Sequence, residues 1–312
     1  MSGYALATRE AEETHAFVVF DVLQFTALAL VSATYLSALF SAKLQRLKTW
    51  FALMVSSLLY CISFLLLLGH QTGASPSLGL CLFQAGLIYA APPSVAAAGL
   101  AFIVELYLRL FTTLTSRKLD KRLITALLFL PPLTHQFVFW IALFTGISKQ
   151  HTVQRNAQQM FCHINDNLPT TVTGVTVVAL LVLMILLESV YTAYYLWRLR
   201  SIFRDLRRRC QCGPIFPFAL FVRAGTYTFA GGLGIILVDI FLNTSSAASS
   251  GTGTQDLLAI IPLSVALVFG TQEDIVQVYK FWKKRGLPAG SPQPNINGES
   301  VEVCYDAERV HP

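Results

Sequence analysis

The sequence predicts an all-α fold: a polytopic membrane bundle of seven transmembrane helices, with the N-terminus outside and the C-terminus cytosolic. Three observations carry this expectation. Seven long apolar stretches run at 16–41, 50–69, 80–112, 123–146, 169–197, 215–242 and 256–279. Crossing a bilayer takes a helix of about 20 apolar residues, and only a membrane protein needs so many. Charged residues make up only 13% of the 312-residue chain, roughly half the share of a soluble domain, which is about 25%. The polar gaps also alternate sharply in charge, and that alternation sets the direction of the bundle.

Residues 1–15 read as a short extracellular arm. Glu10, Glu12 and Glu13 make it acidic. A cleaved signal peptide would instead have a basic start and a short apolar core. The first stretch is long enough to span and stay. The gap after it carries Lys43, Arg46 and Lys48. The gap after the third stretch carries Arg117, Lys118, Lys121 and Arg122, and the gap after the fifth is an Arg run from Arg198 to Arg209. Lys280, Lys283, Lys284 and Arg285 follow the seventh. The opposite set of gaps has only Arg9, Lys149 and Arg155. Lys and Arg gather in cytoplasmic loops, so the net charge of +6 is a topology signal. It does not indicate nucleic-acid binding.

The transmembrane domain is expected over 16–285. Its third helix is too long for a perpendicular span and must tilt or project. Pro92-Pro93 should kink it, as Pro131-Pro132 should kink the fourth and Pro262 the seventh, because proline lacks the backbone donor. In the sixth, Gly231, Gly232 and Gly234 allow close helix approach. The outer loop 243–253 holds the glycosylation sequon Asn243-Thr244-Ser245. After the seventh stretch, Ile275 to Lys284 reads either as an interfacial amphipathic helix or as a continuation of helix seven. Residues 286–312 are rich in Gly, Pro, Ser and Asn and read as a disordered cytoplasmic tail.

Topology sorts the six cysteines. Cys61 lies within helix two, and Cys210, Cys212 and Cys304 lie in the reducing cytosol. Only Cys81 and Cys162 share the oxidising outer side, where a disulfide between them is expected. The alternative is two free thiols. Ionisable groups inside membrane segments are costly and usually face the interior. Glu105 and Arg109 stand four apart on helix three and can pair. With Glu188, Arg223, Glu273 and Asp274 they are expected to form an inner ion-pair network joining helices three, five, six and seven. On that reading, exchanging Glu105 and Arg109 should restore what either single change breaks. A static structural network is the plainer alternative. Toward the outside, Asp239, with Gln84, Tyr89 and His135 as lining, is the candidate site for a polar ligand group.

Several classes are excluded. The histidines show no His-x-x-x-His or His-x-x-Glu-His spacing, so no metal site is expected. There is no Gly-x-Ser-x-Gly elbow. The seventh stretch has no Lys for a retinal Schiff base. No enzymatic activity and no cofactor are expected.

Seven spans, an outside N-terminus, and a cysteine at the top of helix three paired with one in the second outer loop resemble the layout of G-protein-coupled receptors. Phe269-Gly270, Glu273-Asp274 and Tyr279 look somewhat like the end of helix seven in fungal pheromone receptors. The family's Asp/Glu-Arg-Tyr triplet is absent; Glu105-Leu106-Tyr107-Leu108-Arg109 stands in its place. The Asn-Pro-x-x-Tyr and Cys-Trp-x-Pro patterns are also missing. The resemblance implies a plasma-membrane protein that senses an unknown extracellular ligand and signals to a cytoplasmic partner such as a heterotrimeric G protein. The Arg198–Arg209 loop is the expected contact, with anionic membrane lipid as its other expected partner. A small-solute transporter is the alternative, and a non-signalling membrane scaffold the third reading.

Overall fold

One helix organises the bundle. In the computed structural model, which describes residues 2–40, 46–71, 76–115, 120–156, 160–206 and 252–271, helix α3 (Leu78–Thr115) is buried over most of its length. It packs against α2 (Lys48–Leu65), α4 (Lys121–Ser148) and α5 (Asn167–Leu206). Helix α1 (Ser2–Phe40) packs on α2 and on α6 (Thr252–Gly270). Helix α6 is the beginning of the seventh apolar stretch; the sixth stretch lies outside the described residues.

Among the described residues, five helices are long and apolar enough to cross a membrane, with spans Val18–Phe40, Lys48–Leu65, Leu78–Arg109, Lys121–Ser148 and Asn167–Tyr191. The apolar part of α6, Leu258–Gly270, is shorter. Helices α4 and α5 turn most of their apolar surface outward, including Phe129, Leu133, Phe137, Trp140 and Phe144 on α4. That arrangement suits an integral membrane protein, whose solvent on those faces is lipid.

The structure adds to the sequence expectation at three places. The backbone is helical from Ser2, so the arm expected over 1–15 carries helix. Ala5, Ala7, Ala11, Glu10, Glu12 and Glu13 are strong helix formers, and no proline interrupts the run. Helix α5 runs on to Leu206, through part of the Arg run expected to be loop from Trp197. That run has no Gly or Pro before Gly213-Pro214. The connection between α4 and α5 is not plain loop either. It holds a 3-10 turn at Gln150–Thr152 and a hairpin of β1 (Val153–Arg155) and β2 (Cys162–Ile164). The strands are antiparallel, with Val153 opposite Ile164 and Arg155 opposite Cys162.

The interior of α3 is built from small residues. Ala90, Ala91, Ala96, Ala97, Ala98 and Ala101 are all buried. Helices in lipid associate by close packing, and small side chains permit it. Gly86 of α3 works the same way against Phe139 of α4, whose ring carbon would lie 3.0 Å from an added Cβ.

The prolines leave the more telling mark. Proline at position i cannot bond the carbonyl at i−4, and hydrocarbon offers no water to take its place. Pro262 of α6 frees the carbonyl of Leu258, and the Tyr60 hydroxyl of α2 donates to it at 2.8 Å. Pro93 of α3 frees the carbonyl of Tyr89, and the Thr173 hydroxyl of α5 donates to it at 3.0 Å. In both cases an interrupted helix is repaired by its neighbour, and the repair joins the two.

This pairing is testable by a double-mutant cycle. Tyr60→Phe strands a buried acceptor and should lower stability in detergent by about 1–3 kcal/mol. In a Pro262→Ala background, the new amide at 262 can bond Leu258 itself. There Tyr60→Phe should cost under roughly 0.5 kcal/mol. Thermal unfolding of the four proteins measures both steps; equal costs in the two backgrounds would exclude the repair.

Candidate functional site

Two polar centres stand at opposite ends of α3. The first is the hairpin. Cys81 and Cys162 form a disulfide, with Cα atoms 5.2 Å apart. It ties β2 to the first turn of α3. Gln84, one turn further on and fully buried, extends the tie. Its Oε1 accepts from the Cys162 backbone N–H at 3.1 Å. Its Nε2 donates to the carbonyls of Ser63 and Phe64, at 3.3 and 3.4 Å, where α2 ends. The Tyr89 hydroxyl donates to the Ile164 carbonyl at 3.1 Å and accepts from the Ile164 N–H at 3.4 Å. Gln84 and Tyr89 were expected to line a ligand cavity. In the structure their polar groups hold the hairpin to α3.

The hairpin is fastened to other elements as well. Arg155 donates to the carbonyls of His70 and Gln71 at 3.2 and 3.1 Å, and Gln71 donates to Asp21 of α1 at 3.0 Å. Lys149, at the end of α4, pairs with Asp166, whose other oxygen accepts from the Leu168 N–H at 3.0 Å and caps α5. Asn156 Oδ1 accepts from the N–H groups of Met160 and Phe161. That turn sends both side chains into the bundle. Met160 is wholly buried, and Phe161 meets Phe64 edge-on at 5.4 Å and Phe20 at 6.3 Å. The hairpin therefore plugs this end of the bundle with side chains.

The second centre is Glu105, wholly buried in α3. One carboxylate oxygen accepts from Arg109 Nε and Nη2 at 2.9 and 2.7 Å. The other accepts from the Thr49 hydroxyl at 2.7 Å and the Thr49 backbone N–H at 3.2 Å. Thr49 stands in the first turn of α2, whose N-cap residue Leu47 has no capping side chain. Glu105 thus caps α2 from a different helix, where a negative charge also suits the helix dipole. The sequence pointed to the Arg109 contact through its i, i+4 spacing, but not to Thr49. The one signal was a helix start, Leu47-Lys48-Thr49, with no Ser, Thr, Asp or Asn before it to cap it.

Glu188 is half-buried on α5. His135 of α4 stacks on Phe139 with ring centroids 6.3 Å apart. Arg223, Asp239, Asn243, Glu273 and Asp274 lie outside the described residues, as do Cys210, Cys212 and Cys304. Among the described residues, no group of three or more His, Cys, Asp or Glu side chains lies together as a metal site would require. Comparison of the chain with protein-family models and with curated proteins finds no match.

Two predictions follow from this geometry. Exchanging the charges, Glu105→Arg with Arg109→Glu, keeps the pair but puts a donor where Thr49 needs an acceptor. The exchange should therefore fail to restore thermal stability, contrary to the expectation from spacing alone. Glu105→Gln keeps a single acceptor oxygen and should be the milder change. Full rescue by the exchange would mean that the cap contributes nothing.

The second concerns acid. The Lys149 ammonium, with the Leu168 N–H, holds the Asp166 carboxyl below its ordinary value of 3.8. A depressed folded-state value gives stability that is complete above the unfolded value and is lost as pH falls below it. Melting temperature should therefore fall more steeply below pH 3.8 in the native protein than in Asp166→Asn. Identical acid limbs would remove the hairpin tie from the account.

Proposed function

We propose that the chain is a receptor-like, multi-pass seven-transmembrane protein of the plasma membrane. It senses an extracellular ligand and signals to a cytoplasmic partner, with a heterotrimeric G protein as the partner to test first. The hairpin end faces outside and the Glu105 end faces the cytosol. The charge asymmetry of the loops supports that orientation. So does the disulfide, which belongs on an oxidising side.

One observation carries the reading. A single buried helix, α3, holds a covalently pinned plug at its outer end and a charged cap for its neighbour at its inner end. A ligand that displaces the hairpin acts on α3 through Cys81, Gln84 and Tyr89. The movement reaches Glu105, two of whose four bonds hold the start of α2 while the other two hold Arg109. Breaking or keeping that set provides two discrete states, as switching requires. The Arg198–Arg209 run on the same side supplies a basic surface for the partner. Gln84 and Tyr89 then act in transmission, and Asp239 and His135 remain the candidate ligand contacts.

The transporter reading draws on the proline-interrupted helices, since transporters build solute sites from broken helices. One reconstitution separates the two. Purified protein in lipid nanodiscs with a heterotrimeric G protein should speed GDP–GTP exchange, with Glu105→Gln raising the basal rate. Neutralising Arg198, Arg200 and Arg204 should abolish the effect. No exchange activity, together with solute uptake by proteoliposomes, would overturn the receptor reading and favour transport.

A further inference from the structure

Gln24 is the least explained side chain in the bundle. It lies in α1 with no solvent exposure. Neither its Nε2 nor its Oε1 has a hydrogen-bond partner among the described residues. Buried amides are almost always bonded, because leaving both atoms unpaired forfeits the full cost of desolvating them.

Helix register shows what surrounds it. Phe20 packs on Phe64 at 5.6 Å, and Tyr35 packs on Phe51 at 5.9 Å, so α1 and α2 run antiparallel. Interpolating between those contacts places Gln24 level with Tyr60. On the other side, an added Cβ at Gly270 would lie 2.9 Å from Thr34 Oγ1, so Thr34 stands beside Gly270. Tyr60 meets Leu258 and Phe102 meets Phe269, so α6 runs in the same direction as α1. Gln24 is about ten residues, or roughly 15 Å, back along α1 from Thr34. That brings it level with Leu258–Ile261 of α6. Gln24, the Tyr60 hydroxyl and the Leu258 carbonyl freed by Pro262 therefore share one level of the bundle.

We propose that this level holds a buried site for one water-sized, uncharged ligand that both donates and accepts hydrogen bonds, with water as its resident. A buried water needs two to four polar partners. Gln24 supplies a donor and an acceptor. The Tyr60 oxygen still has a lone pair after donating its proton, and the Leu258 carbonyl has a second one. The surroundings set the size limit. Gln24 itself, with Phe20, Ala27 and Ala259 near this level, is wholly buried, so the ligand sits in a closed interior and must be small. The nearest acid on α1, Asp21, is engaged by Gln71 toward the hairpin, and Gln24, the Tyr60 hydroxyl and the Leu258 carbonyl are themselves uncharged. Seated at the proline break, the ligand would join α1 to the same repair that joins α2 to α6.

Radiolytic hydroxyl-radical footprinting tests the site on the full chain in nanodiscs, with water as the probe. Radicals formed from a bound water oxidise the side chain it touches, even one without solvent exposure. Tyr60 should be labelled in the native protein, and its rate should fall several-fold in Gln24→Leu while Tyr107 labelling stays unchanged. Gln24→Met serves if the leucine variant does not fold, as judged by an intact Cys81–Cys162 bond and a monodisperse profile. Absence of Tyr60 labelling in the native protein, or equal labelling in the variant, would overturn the proposal.

Discussion

A carbonyl deprived of its donor is the constraint on which the rest of this bundle depends. Inside lipid there is no solvent to accept or supply a missing hydrogen bond, so each break in a helix must be mended from within the protein. Pro262 and Pro93 each create such a break, and Tyr60 and Thr173 mend them. The bond does two things at once. It removes the penalty of an unpaired backbone group, and it fixes which neighbouring helix stands at that point and in what register. Close packing of small side chains holds helices together in many ways; a single carbonyl accepts a hydroxyl in very few. Where hydroxyls have no such duty they fold back on their own helix, as Thr34, Ser57, Ser63 and Thr145 do on the carbonyls four residues earlier.

The same economy of polar groups governs both ends of α3. Glu105 and Gln84 are each shared between elements. Gln84 faces the end of α2 and the start of β2, while Glu105 faces its own Arg109 and the start of α2. Helix α2 is thus held at both termini by side chains from α3. Its unsatisfied terminal groups, which every helix has, are met by a neighbour rather than by its own flanking residues. That explains how a helix beginning at Lys48 without a capping residue is nonetheless well placed.

Much of this was legible in the sequence, and the reasons for what was not are physical. Apolar length alone located α1 to α5, because crossing lipid imposes a length. Charge asymmetry sorted the cysteines and left Cys81 and Cys162 as partners. The Glu105–Arg109 contact was legible because it is local, four residues apart on one helix. What could not be read was non-local. Thr49 is 56 positions from Glu105 and Cys162 is 78 from Gln84, and no periodicity encodes such meetings. Gln84 and Tyr89 announced themselves as inward-facing by being polar in an apolar helix, but polarity does not name the partner. The hairpin was invisible for a different reason. Its strands are three residues each, too short for an alternating pattern, and the contacts that hold β2 to α3 are non-local.

The position of the disulfide in the chain has a consequence for biogenesis. Cys81 and Cys162 are 81 residues apart, and everything they join precedes α5. The covalent tie can close while the later helices are still being synthesised. The tie encloses α3, α4 and the hairpin within one covalent loop. Thr173 and α6, which follow in the chain, meet the Tyr89 carbonyl and Tyr60 on that earlier part. The late elements thus make these contacts on groups that the early part of the chain presents.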